Sequence, residues 1–131
     1  MGLTDTTKKL QEAAASQELQ KLRGMRRYTN LHTEEALEKR LEEVDRFSQT
    51  AEGQTEEGLK KICRLMAEWN RDCRKAKLCR MTLGFAERAE RKNKGGAEAF
   101  MKRNAERISR VEAWIERQFE EEKHFQLTLK E

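Results

Sequence analysis

The 131-residue chain contains no proline, and aromatic residues make up only 6% of it. Hydrophobic residues of all kinds amount to 36% and charged residues to 40%, whereas charged residues make up about 25% of an average globular chain. So little apolar material cannot bury a large core, but it suffices for long helices that each bury one narrow face. We therefore predict an all-α protein of extended amphipathic helices, with helical hairpins, coiled-coil-like packing and little private globular core.

Long apolar runs are also missing. No stretch approaches the roughly 18 apolar residues that a membrane span needs, and the first thirty residues lack the apolar core of a secretory signal. The sequence therefore predicts a cytoplasmic chain without a transmembrane segment.

Cysteine and histidine are scarce. Cys63, Cys73 and Cys79 are odd in number and lack the C-x2-C spacing of a zinc site, so they are typical of thiols in a reducing compartment. His32 and His124 lie far apart, and no glycine-rich loop or nucleophile elbow accompanies them. We predict no catalytic residue, no bound metal and no cofactor, and hence a protein that is not an enzyme.

Capping residues and glycines predict where the helices begin and end. Thr33 and Thr55 each precede two glutamates, which is typical of a helix N-terminus. A first helix is predicted over 7–23, ended by Gly24, with a break or docking loop in the following RGMRRYTNLH. The pair Gly95-Gly96 predicts a flexible joint.

These breaks divide the chain into three segments. Residues 1–32 form an N-terminal helical or flexible arm, residues 33–94 an acidic-then-basic helical hairpin, and residues 95–131 a C-terminal amphipathic helix after the Gly-Gly joint.

Apolar residues recur at steps of three and four in the second and third segments, which indicates a helix-packing stripe. The stripe residues are Ile62, Met66, Trp69, Cys73, Ile108, Val111, Ile115 and Phe119. Two arrangements satisfy this pattern. The stripes can pack on each other within one monomer if the last helix folds back at Gly95-Gly96, or they can pack on a partner or a second copy through self-association.

Charge is segregated along the chain. Residues 34–57 hold nine acids and three bases, and residues 60–94 hold twelve bases and four acids. The second block predicts a basic, partner-binding surface formed by Arg71, Arg74, Lys75, Lys77, Arg80, Arg88, Arg91, Lys92 and Lys94. Such a surface suits an acidic protein lattice. It also suits nucleic acid, as in a ribonucleoprotein component whose basic helix lies on RNA.

The C-terminal stretch RVEAWIERQFEEEKHFQLTLKE resembles a segment of small helical proteins found inside ciliary doublet microtubules. The matching positions are Arg110, Trp114, Ile115, Phe119, Glu120, Glu121, Glu122, Phe125 and Leu129. The resemblance covers about 20 of the 131 residues, and the glycine that usually follows the final leucine is absent. It implies a microtubule inner protein of the cilium or flagellum, a non-catalytic structural staple bound to tubulin or other axonemal proteins.

The N-terminus offers a third hypothesis. Gly2, with Thr6 four places on, fits the pattern for N-myristoylation, and Lys8 and Lys9 follow. A lipidated chain would act as a membrane-linked coiled-coil adaptor. However, one myristoyl group gives only marginal anchoring, and no later segment favours a membrane.

Overall fold

A computed structural model describes residues 15–124. Within this range the chain forms four α-helices and no β-strand, which confirms the all-α fold class. The helices are α1 (Gln17–Leu31), α2 (Glu34–Ser48), α3 (Glu56–Lys92) and α4 (Gly96–Lys123), with a 3-10 turn at Glu52–Gln54 between α2 and α3. The possible lipidation site Gly2 lies outside the described residues, as do Phe125 and Leu129 of the C-terminal resemblance.

Both predicted threonine caps are present. The Thr33 hydroxyl accepts a hydrogen bond of 3.1 Å from the backbone N–H of Ala36, and the Thr55 hydroxyl accepts one of 3.0 Å from Gly58. Glutamates occupy the first turn of each helix, where the helix dipole stabilises negative charge. The starts of α2 and α3 therefore follow from local side-chain chemistry.

The predicted end of the first helix at Gly24 is wrong, because α1 continues to Leu31 and includes most of the expected break. A glycine inside a helix costs only about 1 kcal/mol relative to alanine. Burial of Met25 and a hydrogen bond from Tyr28 to Asp72 of α3 hold the second half of α1 in place. Of the helix predicted over 7–23, residues 7–14 lie outside the described range.

The Gly95-Gly96 joint forms a tight, hydrogen-bonded turn. Gly95 has φ +82°, in the left-handed region that glycine enters without strain. A Cβ on Gly96 would overlap the carbonyl oxygen of Ala89. The Glu90 carboxylate accepts backbone hydrogen bonds from Gly95 (3.1 Å) and Ala97 (3.2 Å), so the turn folds α4 back along α3.

The core lies where α1 crosses the α3–α4 hairpin, and it is small, as the composition predicted. Met25, Cys79, Met101 and Ile108 are buried together. Leu22, Tyr28, Leu83 and Phe100 pack around them and are partly buried. Each of the three helices contributes only one narrow face to this core.

The predicted packing stripe is only partly buried. Ile108 and Ile115 are buried, whereas Ile62, Met66, Trp69, Cys73 and Phe119 are half-buried. Val111 is the most exposed of the stripe residues, at 41%, and its assignment to the stripe stays a prediction. The α3–α4 contact follows Met101, Ile108 and Ile115, one residue in each heptad, and no described helix covers the neighbouring face on which Val111 lies.

Candidate functional site

The predicted basic surface divides into two groups. Arg71, Arg74, Lys75 and Arg80 are half-buried and contact other parts of the chain. Lys77, Arg88, Arg91, Lys92 and Lys94 are exposed. Only the second group is available to a partner without rearrangement.

Two of the half-buried cations hold α4 against α3. Nη1 of Arg74 lies 2.7 Å from Oε1 of Glu122, and its guanidinium lies 5.5 Å from the centre of the Trp114 ring. The guanidinium of Arg71 lies 4.5 Å from the centre of the Phe119 ring. These residues therefore stabilise the hairpin through ion pairing and cation–π contacts.

The other two half-buried cations hold α1. Nζ of Lys75 lies 4.7 Å from the centre of the Tyr28 ring, which also stacks on His32 with ring centres 4.0 Å apart. Nη2 of Arg80 donates a hydrogen bond of 2.7 Å to the carbonyl oxygen of His32, where α1 ends. This pair fixes the junction between α1 and α2.

A single buried carboxylate joins three helices. Asp72 of α3 is 7% exposed and accepts hydrogen bonds from Tyr28 of α1 (3.2 Å), Arg40 of α2 (2.8 Å) and Arg71 of α3 (3.1 Å). A buried charge is tolerated when it is both paired and hydrogen-bonded, and Asp72 meets both conditions. We assign this cluster a structural role.

The same cluster shifts two pKa values. Burial acts to raise the pKa of Asp72, but hydrogen bonds from Arg40 and Arg71, with the positive charge of both, outweigh it and lower that pKa. The pKa of Tyr28 is raised, first by burial and then by the adjacent Asp72 charge. At neutral pH the phenol therefore remains a hydrogen-bond donor to a charged carboxylate.

Four of the five exposed cations of the predicted basic surface, Arg88, Arg91, Lys92 and Lys94, lie near the α3–α4 turn, and we call them, together with Arg103 of α4, the basic end. All except Arg91 line an open groove of about 580 Å³. No carboxylate is among the described residues that line it. Lys77 lies elsewhere, beside α2, in a groove it shares with Glu34 and Glu38.

Glu90, one of three acids adjacent in sequence to lining residues of this groove, is already engaged. Both carboxylate oxygens of Glu90 accept backbone hydrogen bonds, and these bonds, from Ala97 first and then Gly95, lower the pKa of Glu90. Glu90 therefore stays charged and directed at the turn.

A second groove, of about 350 Å³, lies between α3 and α4, and we call it the apolar groove. Its described lining residues are Leu78, Met81, Thr82, Phe85, Phe100, Asn104, Arg107, Ile108 and Val111. Phe85 and Phe100 line both grooves and lie with ring centres 6.0 Å apart. The groove lined by the basic end and the apolar groove therefore meet at this aromatic pair.

Sequence reasoning missed Arg103, Phe85 and the apolar groove. Arg103 lies beyond the Gly-Gly joint and joins the α3 cations only because α4 folds back. One of the two arrangements that satisfy the stripe pattern, a last helix that folds back at Gly95-Gly96, implies that α4 residues meet the α3 cations. Asp72 lies within a basic stretch of the sequence, so the charge pattern does not distinguish it as the acceptor of the hydrogen bonds from Tyr28, Arg40 and Arg71.

Among residues 15–124, no group of three or more His, Cys, Asp or Glu side chains is placed to hold a metal ion. Within the described helices, no segment combines the length and hydrophobicity needed to cross a bilayer.

Burial raises the pKa of the thiols of Cys73 and Cys79, which favours the protonated form.

No family model, no curated protein and no solved structure matches this chain.

Proposed function

We propose that this chain is a non-catalytic structural protein that binds an acidic protein surface through its basic end. The observation that carries the proposal is the cluster of exposed cations at the α3–α4 turn, in a groove without a lining carboxylate among the described residues. Such a cluster attracts a negatively charged partner and orients it before contact.

The first candidate for that surface is the microtubule lattice of a cilium or flagellum. It is chosen because the C-terminal segment resembles those of microtubule inner proteins. In that role the α3–α4 hairpin would be a rigid staple, since α3 alone spans roughly 55 Å.

The direct test is co-sedimentation of the purified chain with stabilised microtubules at low and moderate salt. We expect binding at low salt that weakens as salt rises, because exposed charges are screened. The double variant Lys92→Glu/Lys94→Glu should bind about tenfold more weakly, as expected when two rim charges are reversed.

The matched control is Arg23→Glu/Lys39→Glu, which makes the same change in net charge at exposed sites on α1 and α2. It should bind like the natural chain. Equal weakening by both double variants would show that binding depends on net charge and not on the basic end. The absence of co-sedimentation at low salt would exclude the exposed microtubule surface as the partner. Assembly of the lattice in the presence of the chain then tests sites on its inner wall.

RNA is the second candidate, and the position of Phe85 favours it. This ring is 47% exposed and lies 4.8 Å from the guanidinium of Arg88. An exposed ring among cations is typical of surfaces that stack single-stranded bases. Phe85→Leu should weaken RNA binding without changing microtubule binding if RNA is the partner. Reversal of Arg74 or Lys75 is unsuitable as a test, because both contact other parts of the fold.

A further inference from the structure

Exposed apolar side chains are concentrated on one side of the α3–α4 hairpin. In the described range six large hydrophobic residues are notably exposed, and three of them, Met81 (53%), Phe85 (47%) and Val111 (41%), line the apolar groove. Trp114 (44%) lies one helical turn beyond Val111 on α4. All described lining residues come from α3 and α4, so α1 and α2 leave this groove open.

The length of the groove matches about three turns of a helix laid along it. Between Phe100 and Val111, α4 rises about 17 Å, or three helical turns. A helix laid between two antiparallel helices buries a stripe of residues at i, i+3, i+4 and i+7. The residues flanking such a stripe on a ligand helix would meet the groove's rim.

The charge of the rim selects the partner. Arg107 lines the apolar groove. On the other side of Phe85 and Phe100, the adjoining groove is lined by Arg88, Lys92, Lys94 and Arg103. No acidic residue is among the described lining of either groove. A ligand that fills both must be apolar along one face and acidic at its flanks and one end.

We propose that the apolar groove and the adjoining cations of the basic end bind an acidic amphipathic helix of about three to four turns from a partner protein. The proposal deepens the proposed function and rests on it for the cationic part of the surface. It adds that the partner contributes a helix and that apolar contacts, rather than charge alone, determine its position.

Other occupants fit less well. A second copy related by a two-fold axis parallel to the hairpin would bring one set of rim cations against another, which is repulsive. The segments outside the described range, residues 1–14 and 125–131, each carry equal numbers of acidic and basic side chains, so neither supplies the acidic excess.

The test uses a synthetic 18-residue peptide helix with leucines at i, i+3, i+4 and i+7 and glutamates on its flanks and at one end. Its affinity for the full chain is measured by fluorescence anisotropy, and its position by methyl chemical shifts of Met81 and Val111. We expect saturable binding with shifts at both methyl groups. A peptide of the same composition with a scrambled apolar pattern should bind at least about tenfold more weakly.

The variant Val111→Glu places a carboxylate in the groove at an exposed position and should weaken binding about tenfold. Leu31→Glu is the matched control, because Leu31 is 73% exposed and lies at the end of α1, away from the groove. It should leave binding unchanged, and the thermal midpoints of both variants establish that they fold.

Three results would overturn the proposal. The first is the absence of binding up to about 1 mM peptide. The second is equal binding of the scrambled peptide. The third is a concentration-dependent shift of the methyl signals without peptide, which would identify a second copy as the occupant of the groove. If Lys92→Glu/Lys94→Glu abolishes peptide binding while Val111→Glu has no effect, only the electrostatic docking of the proposed function survives. If microtubules fail to bind but the patterned peptide binds and Val111→Glu weakens it, the helix-binding groove stands without that lattice.

Discussion

Hydrogen bonds and ion pairs between individual polar side chains join the helices of this chain. Asp72 connects α1, α2 and α3 through Tyr28, Arg40 and Arg71. Because removal of one member leaves buried or half-buried groups without partners, the cost exceeds that of a surface ion pair.

We expect Asp72→Asn to lower the free energy of unfolding by about 2–4 kcal/mol. The amide keeps the size of the side chain but removes the charge that Arg40 and Arg71 share. Urea denaturation at pH 7 measures the loss. As a control, Glu87→Gln breaks the exposed pair with Arg26 and should cost under about 1 kcal/mol. Equal effects of the two substitutions would contradict a special role for Asp72.

The same residue predicts an acid dependence of stability. The pKa of Asp72 is lower in the folded chain than in the unfolded chain, where it is about 3.9. Its contribution is therefore complete above about pH 5 and decreases as the pH falls through the folded pKa. The difference in unfolding free energy between the natural chain and Asp72→Asn should shrink between about pH 5 and pH 2. A difference that stays constant over this range would contradict the assignment.

At the scale of helices and turns, some features are local enough to be predicted from sequence. Thr33 and Thr55 reveal the starts of α2 and α3 because each cap needs only residues within one turn. Gly24 misleads because contacts with α3 and α4 outweigh its poor helix propensity. Periodicity identifies the apolar face that carries Val111 but does not show whether a second helix covers it.

The Gly95-Gly96 turn gives an element-scale prediction. Gly96→Ala should destabilise the chain by about 1–3 kcal/mol, because the new methyl group meets the backbone of Ala89. The control Gly24→Ala lies in the interior of α1, where the new Cβ has no atom within 4 Å apart from neighbouring residues and backbone of its own helix. It should stabilise by up to about 1 kcal/mol. Thermal and urea unfolding of both variants measure these opposite signs, and the same sign in both would contradict the account of the turn.

At the scale of the whole molecule, the basic end and the apolar groove were beyond reach of the sequence alone. They depend on the return of α4 along α3, which brings Arg103 to the α3 cations and Phe100 to Phe85. Low aromatic content and high charge predict a small core, and in that core Met25 of α1 is buried together with residues of both helices of the hairpin.

We expect the described helices to unfold as one cooperative unit, because α1 is held by both α3 and α4. Met25→Ala should lower the unfolding free energy by about 2–4 kcal/mol. Its far-ultraviolet dichroism and tryptophan fluorescence should still report a single shared transition. Two separate transitions in the natural chain would show that the α3–α4 hairpin is stable without α1.

The separation of charge along α3 has a further consequence. Acidic α2 lies against the first half of α3, whereas the basic end lies at the other extreme, with Glu57 and Arg91 roughly 50 Å apart. The molecule therefore carries a large electric dipole moment, and a field from a negative surface exerts a torque that turns the basic end toward it. A chain docked in this orientation would direct its acidic end outward, so a coated surface would still present negative charge to the solvent.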